Sequence, residues 1–306
     1  MSQPKRYNTF SDELKRRFGR KVQRISVDAG FSCPNRDGSL GSEGCIFCGG
    51  HGSGSHGIPR HLSISDQIED GKEVMTRKYR AERFIAYFQA YSNTYSPVER
   101  LAALFDEALA VPDVVGLIVA TRPDCLPEAV LDLLAELNRR TYLWLELGLQ
   151  SIHDRSLALI NRRHNHACSV SAIERARERG VRVCAHVILG LPGETREEML
   201  AMAAELNRLG VAGVKLHLLH VMRGTRLAEM YEQGEIQLLD RDGYAGLVCD
   251  FLELLDPGIL IHRLTGDGGR DDLIAPVWSL KKFELLNLID AELERRGTRQ
   301  GSRIKT

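Results

Sequence analysis

Apolar and polar positions along the chain follow two periods in alternation. Six apolar runs have the length and composition of strands buried on both faces of a parallel sheet. These runs span residues 22–27, 84–88, 114–120, 142–149, 181–189 and 211–219, and helical periodicity lies between them at 64–79, 98–109, 127–138, 171–179 and 197–209. The alternation predicts a parallel sheet flanked by helices. Periodicity alone does not separate an open doubly wound sheet from an incomplete barrel.

Capping residues and a change of rhythm refine this pattern. Asp124 and Pro127 mark the start of one helix, and Thr195 with Glu198 fits a capping box at the start of another. The βα rhythm weakens after the sixth strand. The remaining predicted elements are helices at 240–255 and 281–296, with a short apolar stretch at 259–261 between them. This part of the chain is predicted to be an extension packed on the sheet unit.

Composition is that of an ordinary globular protein. Of the 306 residues, 43% are hydrophobic and 27% are charged, and lysine plus arginine equals aspartate plus glutamate at 41 each. Overall charge therefore favours no particular partner. The sequence has no run of roughly 18 apolar residues and no apolar core near its start, so we expect neither a membrane span nor a signal peptide. Seven cysteines, an odd number, then predict a cytoplasmic protein with reduced thiols.

Local charge is concentrated at the two ends of the chain. Residues 5–24 contain eight lysines and arginines, and the last twelve residues contain five with no acidic residue. Such runs are most often solvated faces. Contact with nucleic acid is the alternative, because cationic side chains bind phosphate groups independently of base sequence.

Three cysteines lie in a glycine-rich loop directly after the first predicted strand. Eleven residues separate Cys33 from Cys45, and two separate Cys45 from Cys48. Such spacing lets three thiolates reach one metal centre. Structural zinc takes four ligands, so His51 or His56 would complete a Cys3His site. A four-iron cluster with three cysteines keeps one iron open. The residues alone leave the cluster, zinc and a metal-free loop as alternatives.

An ordered set of motifs resembles the radical S-adenosylmethionine (SAM) superfamily. The motifs are CPNRDG, GCIFC, YFQAYSNTY, ELGLQS, NRRHN and VILGLPGE. More narrowly, the chain resembles the branch that contains the catalytic subunit of Elongator and oxygen-independent coproporphyrinogen oxidase. It is most similar to stand-alone bacterial members of that branch, and this similarity extends through the C-terminal region. The spacing of the first two cysteines differs from the three residues found in most of the superfamily.

The resemblance implies a fold and a division of the chain. The expected fold is α/β, a partial (βα)6 TIM-like barrel with a C-terminal helical extension. Residues 1–20 would be a basic N-terminal segment, 21–225 the radical SAM partial barrel and 226–306 a mainly helical extension. Because active sites of such folds lie at the carboxyl ends of the strands, the cysteine loop and the ends of strands two, four and five should share one rim.

The resemblance also implies the cofactors and the chemistry. Cys33, Cys45 and Cys48 would hold three irons of a 4Fe-4S cluster, and the amino and carboxylate groups of SAM would chelate the fourth. Reductive cleavage of SAM would then give a 5′-deoxyadenosyl radical. The electron would come from an external donor, similar to flavodoxin or ferredoxin. A cluster with an open iron supplies both the contact and the electron that this chemistry requires.

Several residues match the superfamily's SAM-binding motifs. Phe47 would lie near the adenine, and the backbone around Leu189 would flank it. The backbone at Gln89–Tyr91 would meet the SAM amino group in place of the usual glycine-rich motif.

Polar residues inside or beside the apolar strands complete the set. Glu146 and Gln150 are candidates for the ribose and nearby groups, and Arg162 matches an arginine that pairs with the SAM carboxylate. Lys215 would face the barrel interior near the substrate, and Lys215 and Tyr91 are the candidate catalytic residues. Glu146 must have a partner whatever its role, because burial of an unpaired charge is costly.

The substrate is not legible in these motifs. Kinship to the Elongator subunit suggests modification of transfer RNA, at a wobble uridine, and the basic ends would fit phosphate contacts. One alternative is a radical SAM oxidase or decarboxylase of a small molecule. The other is a non-catalytic, zinc-stabilised RNA-binding protein.

Overall fold

The computed structural model describes residues 5–49, 58–266 and 268–304. Its main sheet has seven parallel strands in the order β1-β2-β3-β4-β5-β6-β8, and β7 and β9 form an antiparallel ribbon. The strands are β1 Val22–Val27, β2 Arg83–Phe88, β3 Val114–Thr121, β4 Tyr142–Gln150, β5 Val183–Leu189, β6 Gly213–Leu218, β7 Val221–Met222, β8 Leu260–Arg263 and β9 Leu273–Ala275. The α/β fold inferred from the alternation is therefore confirmed.

Ten α-helices connect or flank the strands among the residues described. They are α1 Phe10–Phe18, α2 Ile64–Tyr79, α3 Val98–Ala110, α4 Glu128–Arg140, α5 Asp154–Leu159, α6 His166–Glu178, α7 Arg196–Leu209, α8 Arg226–Glu232, α9 Arg241–Leu254 and α10 Lys282–Arg296. The capping box of α7 is present at Thr195 and Glu198. Asp124 instead lies in a 3-10 turn, and α4 begins after Pro127. None of the described helices is long and apolar enough to cross a membrane.

The sheet is curled into a partial barrel, as expected. Four strand spacings of about 4.8 Å would put β2 and β6 roughly 19 Å apart in a flat sheet. Yet Lys215 Nζ on β6 lies 2.6 Å from Tyr87 Oη on β2. Only strong curvature brings the inward side chains of these strands together. The outer face of the sheet packs against the helices in one large hydrophobic core.

The structure adds a seventh strand to the six that the pattern predicts. β8 lies within the region predicted as a mainly helical extension, and it pairs in parallel with β6. It contains only four residues, too few to show a clear period. The C-terminal region is therefore part of the barrel wall as well as a set of helices.

Helix α1 closes the end of the barrel opposite the cysteine loop. It buries Phe10 and Leu14 in a cluster with Tyr142 and Trp144. The Phe10 ring also stacks on His262 with 3.9 Å between centroids. The segment at 1–20, expected only to be basic, thus supplies the helix that closes the barrel at this end.

The two basic ends of the chain lie side by side at this closed end. The backbone N–H of Gln300 donates to Arg6 O at 2.9 Å, and Gln300 Oε1 accepts from Asn8 N at 2.8 Å. Acidic side chains neutralise much of their charge. The ion pairs include Lys5–Asp290, Arg16–Glu13, Arg20–Glu82, Arg296–Asp250 and Arg303–Glu253. The two basic ends thus lie together at the closed end of the barrel, away from the carboxyl ends of the strands, and are largely neutralised there.

Candidate active site at the carboxyl ends of the strands

A cavity of about 840 Å³ opens at the carboxyl ends of the strands. It collects most of the candidate residues: Cys33, Cys45, Phe47, Cys48, Gln89, Tyr91, Glu146, Gln150, Arg162 and Lys215. Leu189 is the exception. Its side chain is fully buried in the large outer core, and Ile188, on the other face of β5, lines the cavity instead. Only the predicted backbone role remains open to Leu189.

Strand alternation explains why these polar residues meet. In β4 the even-numbered residues Glu146, Gly148 and Gln150 line the cavity, while Leu145, Leu147 and Leu149 pack outward in the main core. The same period directs Tyr87 and Gln89 on β2, His186 and Ile188 on β5, and Lys215 and His217 on β6 inward. One side of each strand thus supplies the chemistry and the other supplies stability.

The cysteine loop is folded by its own backbone hydrogen bonds. The carbonyl of Cys33 accepts from Arg36 N at 2.8 Å, and the carbonyl of Cys45 accepts from Cys48 N at 3.0 Å. Gly44, with φ of +76°, precedes Cys45 and allows the reversal that an L side chain would strain. Asn161 clamps the loop to the barrel through its Nδ2, which donates to Gly44 O at 2.6 Å. All three thiols consequently line the same cavity.

The donor set fits an iron–sulfur cluster with three protein ligands. The three thiols are free and line one wall of the cavity, which none of the other four cysteines lines. Burial, and next the neighbouring Cys45, raise the pKa of the Cys48 thiol. A bound metal centre would stabilise the thiolate forms of these residues. His51 and His56, the candidate fourth ligands for zinc, lie outside the described residues.

Buried guanidinium groups lie directly beside this loop. Arg162 Nη1 donates to Cys45 Sγ at 3.3 Å and its Nη2 donates to Gly148 O at 2.7 Å, while its Nε has no partner. Arg122 forms a two-pronged ion pair with Asp124 at 2.8 and 2.7 Å and leaves its own Nη1 unpartnered. Unsatisfied buried donors are costly. A carboxylate such as that of SAM would satisfy them, so the residues present fit both cofactors.

A buried hydrogen-bonded network forms the cavity floor. Glu146 Oε2 accepts from Tyr87 Oη at 2.6 Å, His186 Nε2 at 2.8 Å and Lys215 Nζ at 3.0 Å. Lys215 Nζ also donates to Tyr87 Oη at 2.6 Å. His262 Nδ1 lies 3.4 Å from the other carboxylate oxygen, too far for a strong hydrogen bond. Oε2 thus has three donors, whereas Oε1 is buried without a hydrogen-bond partner among the described residues.

The charge states in this network follow from burial and proximity. Burial alone would raise the pKa of Glu146, but Lys215 and then His186 hold it well below its usual value. Burial lowers the pKa of Lys215 to about 8, and Glu146 limits the drop. Burial also lowers the pKa of both His186 and His262 to about 4. Near neutral pH the floor therefore holds one carboxylate, one ammonium and two neutral imidazoles.

These contacts redirect two of the residue assignments. Glu146 has no exposed surface, and its Oε2 accepts hydrogen bonds from three side chains, one of them Lys215. These contacts do not support a contact between Glu146 and the ribose. Gln150 stands nearer the rim with φ of +68°. Lys215 faces the barrel interior as expected, and its catalytic role stays a prediction.

Gln89 and Tyr91 line the cavity just after the end of β2. Tyr91 has φ of +60°, and the guanidinium of Arg60 lies 5.4 Å from its ring centroid. The segment after it is pinned by Asn93, whose backbone N–H and side-chain Nδ2 donate to Ala120 O at 3.1 and 2.8 Å. The backbone predicted to meet the SAM amino group is therefore held firmly at the rim.

Gly148 offers a specific test of this geometry. A Cβ at position 148 would lie 2.7 Å from Gln150 Nε2 and 3.0 Å from Arg162 Nη2. We expect Gly148→Ala to displace both side chains and weaken SAM binding about tenfold, equivalent to roughly 1.4 kcal/mol, as measured by equilibrium dialysis of the reconstituted protein. Gly246→Ala, in α9 with no atom closer than 3.9 Å, is the matched control and should bind normally. Equal affinities for the two variants would contradict this placement.

The fold brings to the site several residues that the sequence pattern does not identify. Arg122 was not singled out, although it follows an apolar strand and precedes a proline. His262 was missed because its strand was not predicted. Tyr87 joins the site through its hydroxyl, which contacts both Glu146 and Lys215. The usable signal was the alternation itself, since a polar residue at every second position of a buried parallel strand indicates a barrel interior.

Comparison with known proteins gives matches along nearly the whole chain. A family profile described as Radical SAM superfamily matches residues 37–206, and one described as Radical SAM C-terminal domain matches 211–295. The chain is 48% identical to the YtqA protein of Bacillus subtilis (strain 168), over 97% of this chain and 92% of that protein.

Two further matches concern proteins named for transfer RNA or Elongator. A tRNA uridine(34) acetyltransferase of Dehalococcoides mccartyi (strain CBDB1) is 31% identical over 50% of this chain and 33% of its own length. The solved structure of archaeal Methanocaldococcus infernus Elp3, with an N-terminal deletion, superposes with a TM-score of 0.69 at 18% identity. That match covers 91% of this chain and 64% of the other, and it shows a shared fold.

Proposed function

The chain belongs to the radical SAM superfamily and is an enzyme whose cofactors are a 4Fe-4S cluster and SAM; from this premise we propose that it modifies transfer RNA at a wobble uridine. Membership decides between the alternatives that the cysteine spacing left open, in favour of the cluster. The non-catalytic, zinc-stabilised alternative is overturned by the same match. The observation that carries the proposal is the match of half the chain to a tRNA uridine(34) acetyltransferase.

The site divides into a cofactor wall and a substrate floor. Cys33, Cys45 and Cys48 would hold the cluster, and Arg162 and Arg122 would bind the SAM carboxylate with the donors that are otherwise unsatisfied. When bound, the cluster and SAM supply an electron and a 5′-deoxyadenosyl radical that removes a hydrogen atom from the substrate.

The floor would orient the reacting group and handle protons. Lys215 Nζ and His186 Nε2 line the cavity while fixed on Glu146. A Lys215 ammonium with a pKa of about 8 can give up or take back a proton near neutral pH. An external low-potential electron donor, of the flavodoxin or ferredoxin class, completes the proposed requirements.

The proposal is tested on transfer RNA from cells. A strain lacking the gene should lose, or accumulate the precursor of, one uridine derivative in digested transfer RNA analysed by nucleoside mass spectrometry. The wild-type gene and a Cys168→Ala gene should restore it, and a Cys45→Ala gene should not. An unchanged nucleoside profile in cells that normally make the protein would count against a transfer RNA substrate. It would leave the alternative of a small-molecule oxidase or decarboxylase.

A further inference from the structure

The cavity carries a positive charge that the whole chain does not. Among the described residues, six cationic side chains and two carboxylates line it, although the chain as a whole is neutral. Glu146 offsets Lys215, and the cluster thiolates offset the buried arginine beside Cys45. Of the other lining residues, Arg36, Arg122, Arg223 and Arg263 are cationic and Asp272 is anionic. The lining therefore keeps a surplus of positive charge, which attracts anionic partners.

Arg223 supplies part of this charge, and Arg226 lies three residues further along the chain; both side chains are exposed. Arg223 follows β7 and lines the cavity, and its backbone N–H donates to Asp272 O at 2.7 Å, which ties it to the β7–β9 ribbon. Arg226 is the first residue of α8, and the next residue, Leu227, donates its N–H to Ile46 O at 2.9 Å in the cysteine loop. Neither guanidinium makes a hydrogen bond or ion pair with any residue in the described ranges.

The basic ends of the chain are too far from the cavity mouth to bind an anionic partner there. They lie at the closed end of the barrel beside α1, separated from the mouth by a strand length of roughly 20 Å. Much of their charge is already paired with Asp290, Glu82, Glu253 and Asp250. Phosphates flanking a nucleotide in the cavity could not reach them.

We propose that Arg223 and Arg226 form a phosphate-binding site at the cavity mouth that docks RNA, and that the basic ends do not. This inference rests on the proposed function, since it names the surface through which that substrate binds. A cavity of about 840 Å³ is near the upper end of the range for one drug-sized ligand, roughly 300–1,000 Å³. In this proposal SAM and one extruded nucleoside share the cavity, and the phosphates that flank the nucleoside lie at the mouth.

The test compares two pairs of charge-removing substitutions in the anaerobically reconstituted protein. Arg223→Gln with Arg226→Gln removes the mouth charges, and Lys15→Gln with Lys21→Gln removes two exposed charges at the closed end. Binding to bulk transfer RNA is measured from about 50 to 200 mM salt. We expect the mouth variant to bind several-fold more weakly, with a log–log salt slope shallower by about 1 for each charge removed. Arg223→Lys with Arg226→Lys should keep most of the binding.

The outcomes separate this inference from the function on which it rests. The variant with Lys15→Gln and Lys21→Gln should bind transfer RNA within about twofold of the wild type, because in this proposal these two lysines contact no phosphate. Wild-type binding in the mouth variant, or an equal loss in this lysine variant, would overturn the mouth site while leaving a transfer RNA substrate intact. A wild-type protein that does not bind transfer RNA at all would overturn the proposed function itself.

Discussion

Replacing Cys45 with alanine is expected to abolish both the cluster and SAM cleavage. Cys45 is buried, its Sγ accepts from Arg162 at 3.3 Å, and it stands between the other two cysteines of the loop. Two thiolates cannot hold three irons of a cube. Iron in the anaerobically purified variant should fall from about four per chain to near zero. Production of 5′-deoxyadenosine should fall below detection, as measured by chromatography after reduction.

A second cysteine supplies the control for this substitution. Cys168 lies on α6, is partly exposed and does not line the cavity. Cys168→Ala should keep its iron and its activity. Retention of the cluster in Cys45→Ala, or its loss in Cys168→Ala, would contradict the ligand assignment.

Neutralising Glu146 is expected to have the largest effect on stability. In Glu146→Gln the Lys215 side chain would be buried without its counter-charge, either as an uncompensated ammonium or as an amine that has lost its proton. Breaking one side of a buried ion pair costs about 3–5 kcal/mol. In a chain of this size that should lower the midpoint of thermal unfolding by about 10 °C, as measured on anaerobic holoenzyme.

A double substitution separates this electrostatic cost from a simple packing defect. Lys215→Met should also destabilise, but the double variant Glu146→Gln with Lys215→Met should lose less than the sum of the single losses, because both charges leave together. Glu82→Gln breaks the exposed pair with Arg20 and should cost less than about 1 kcal/mol. Additive losses in the double variant would show that the pair is not coupled.

Strands β1 to β6 could be predicted because each coincides with an apolar run. β1 and β4 begin where the apolar runs at 22 and 142 begin, and the helices between strands keep their amphipathic period. α1 and β8 could not be predicted in the same way. One is a short helix rich in charge and the other has four residues, and each is stabilised by contacts distant in sequence. An example is the hydrogen bond from Ile261 N to Asn8 O.

The cysteines could be located from spacing, but the cavity floor could not be assembled from sequence. Lys215 lies 69 positions after Glu146, and their contact depends on the registers of β4 with β5 and of β5 with β6. The position of the basic ends in the fold could likewise not be predicted from sequence. Charge density along a chain reports how many cations a segment has, whereas the fold decides which face they share and which acids neutralise them.

An anaerobic assay of the wild-type protein with SAM and dithionite tests most directly whether the chain holds a 4Fe-4S cluster and cleaves SAM. We expect a brown protein with about four irons per chain that converts SAM into 5′-deoxyadenosine, with a higher yield when transfer RNA from the deletion strain is added. A colourless protein with one zinc, or an iron-loaded protein that leaves SAM intact, would contradict this expectation.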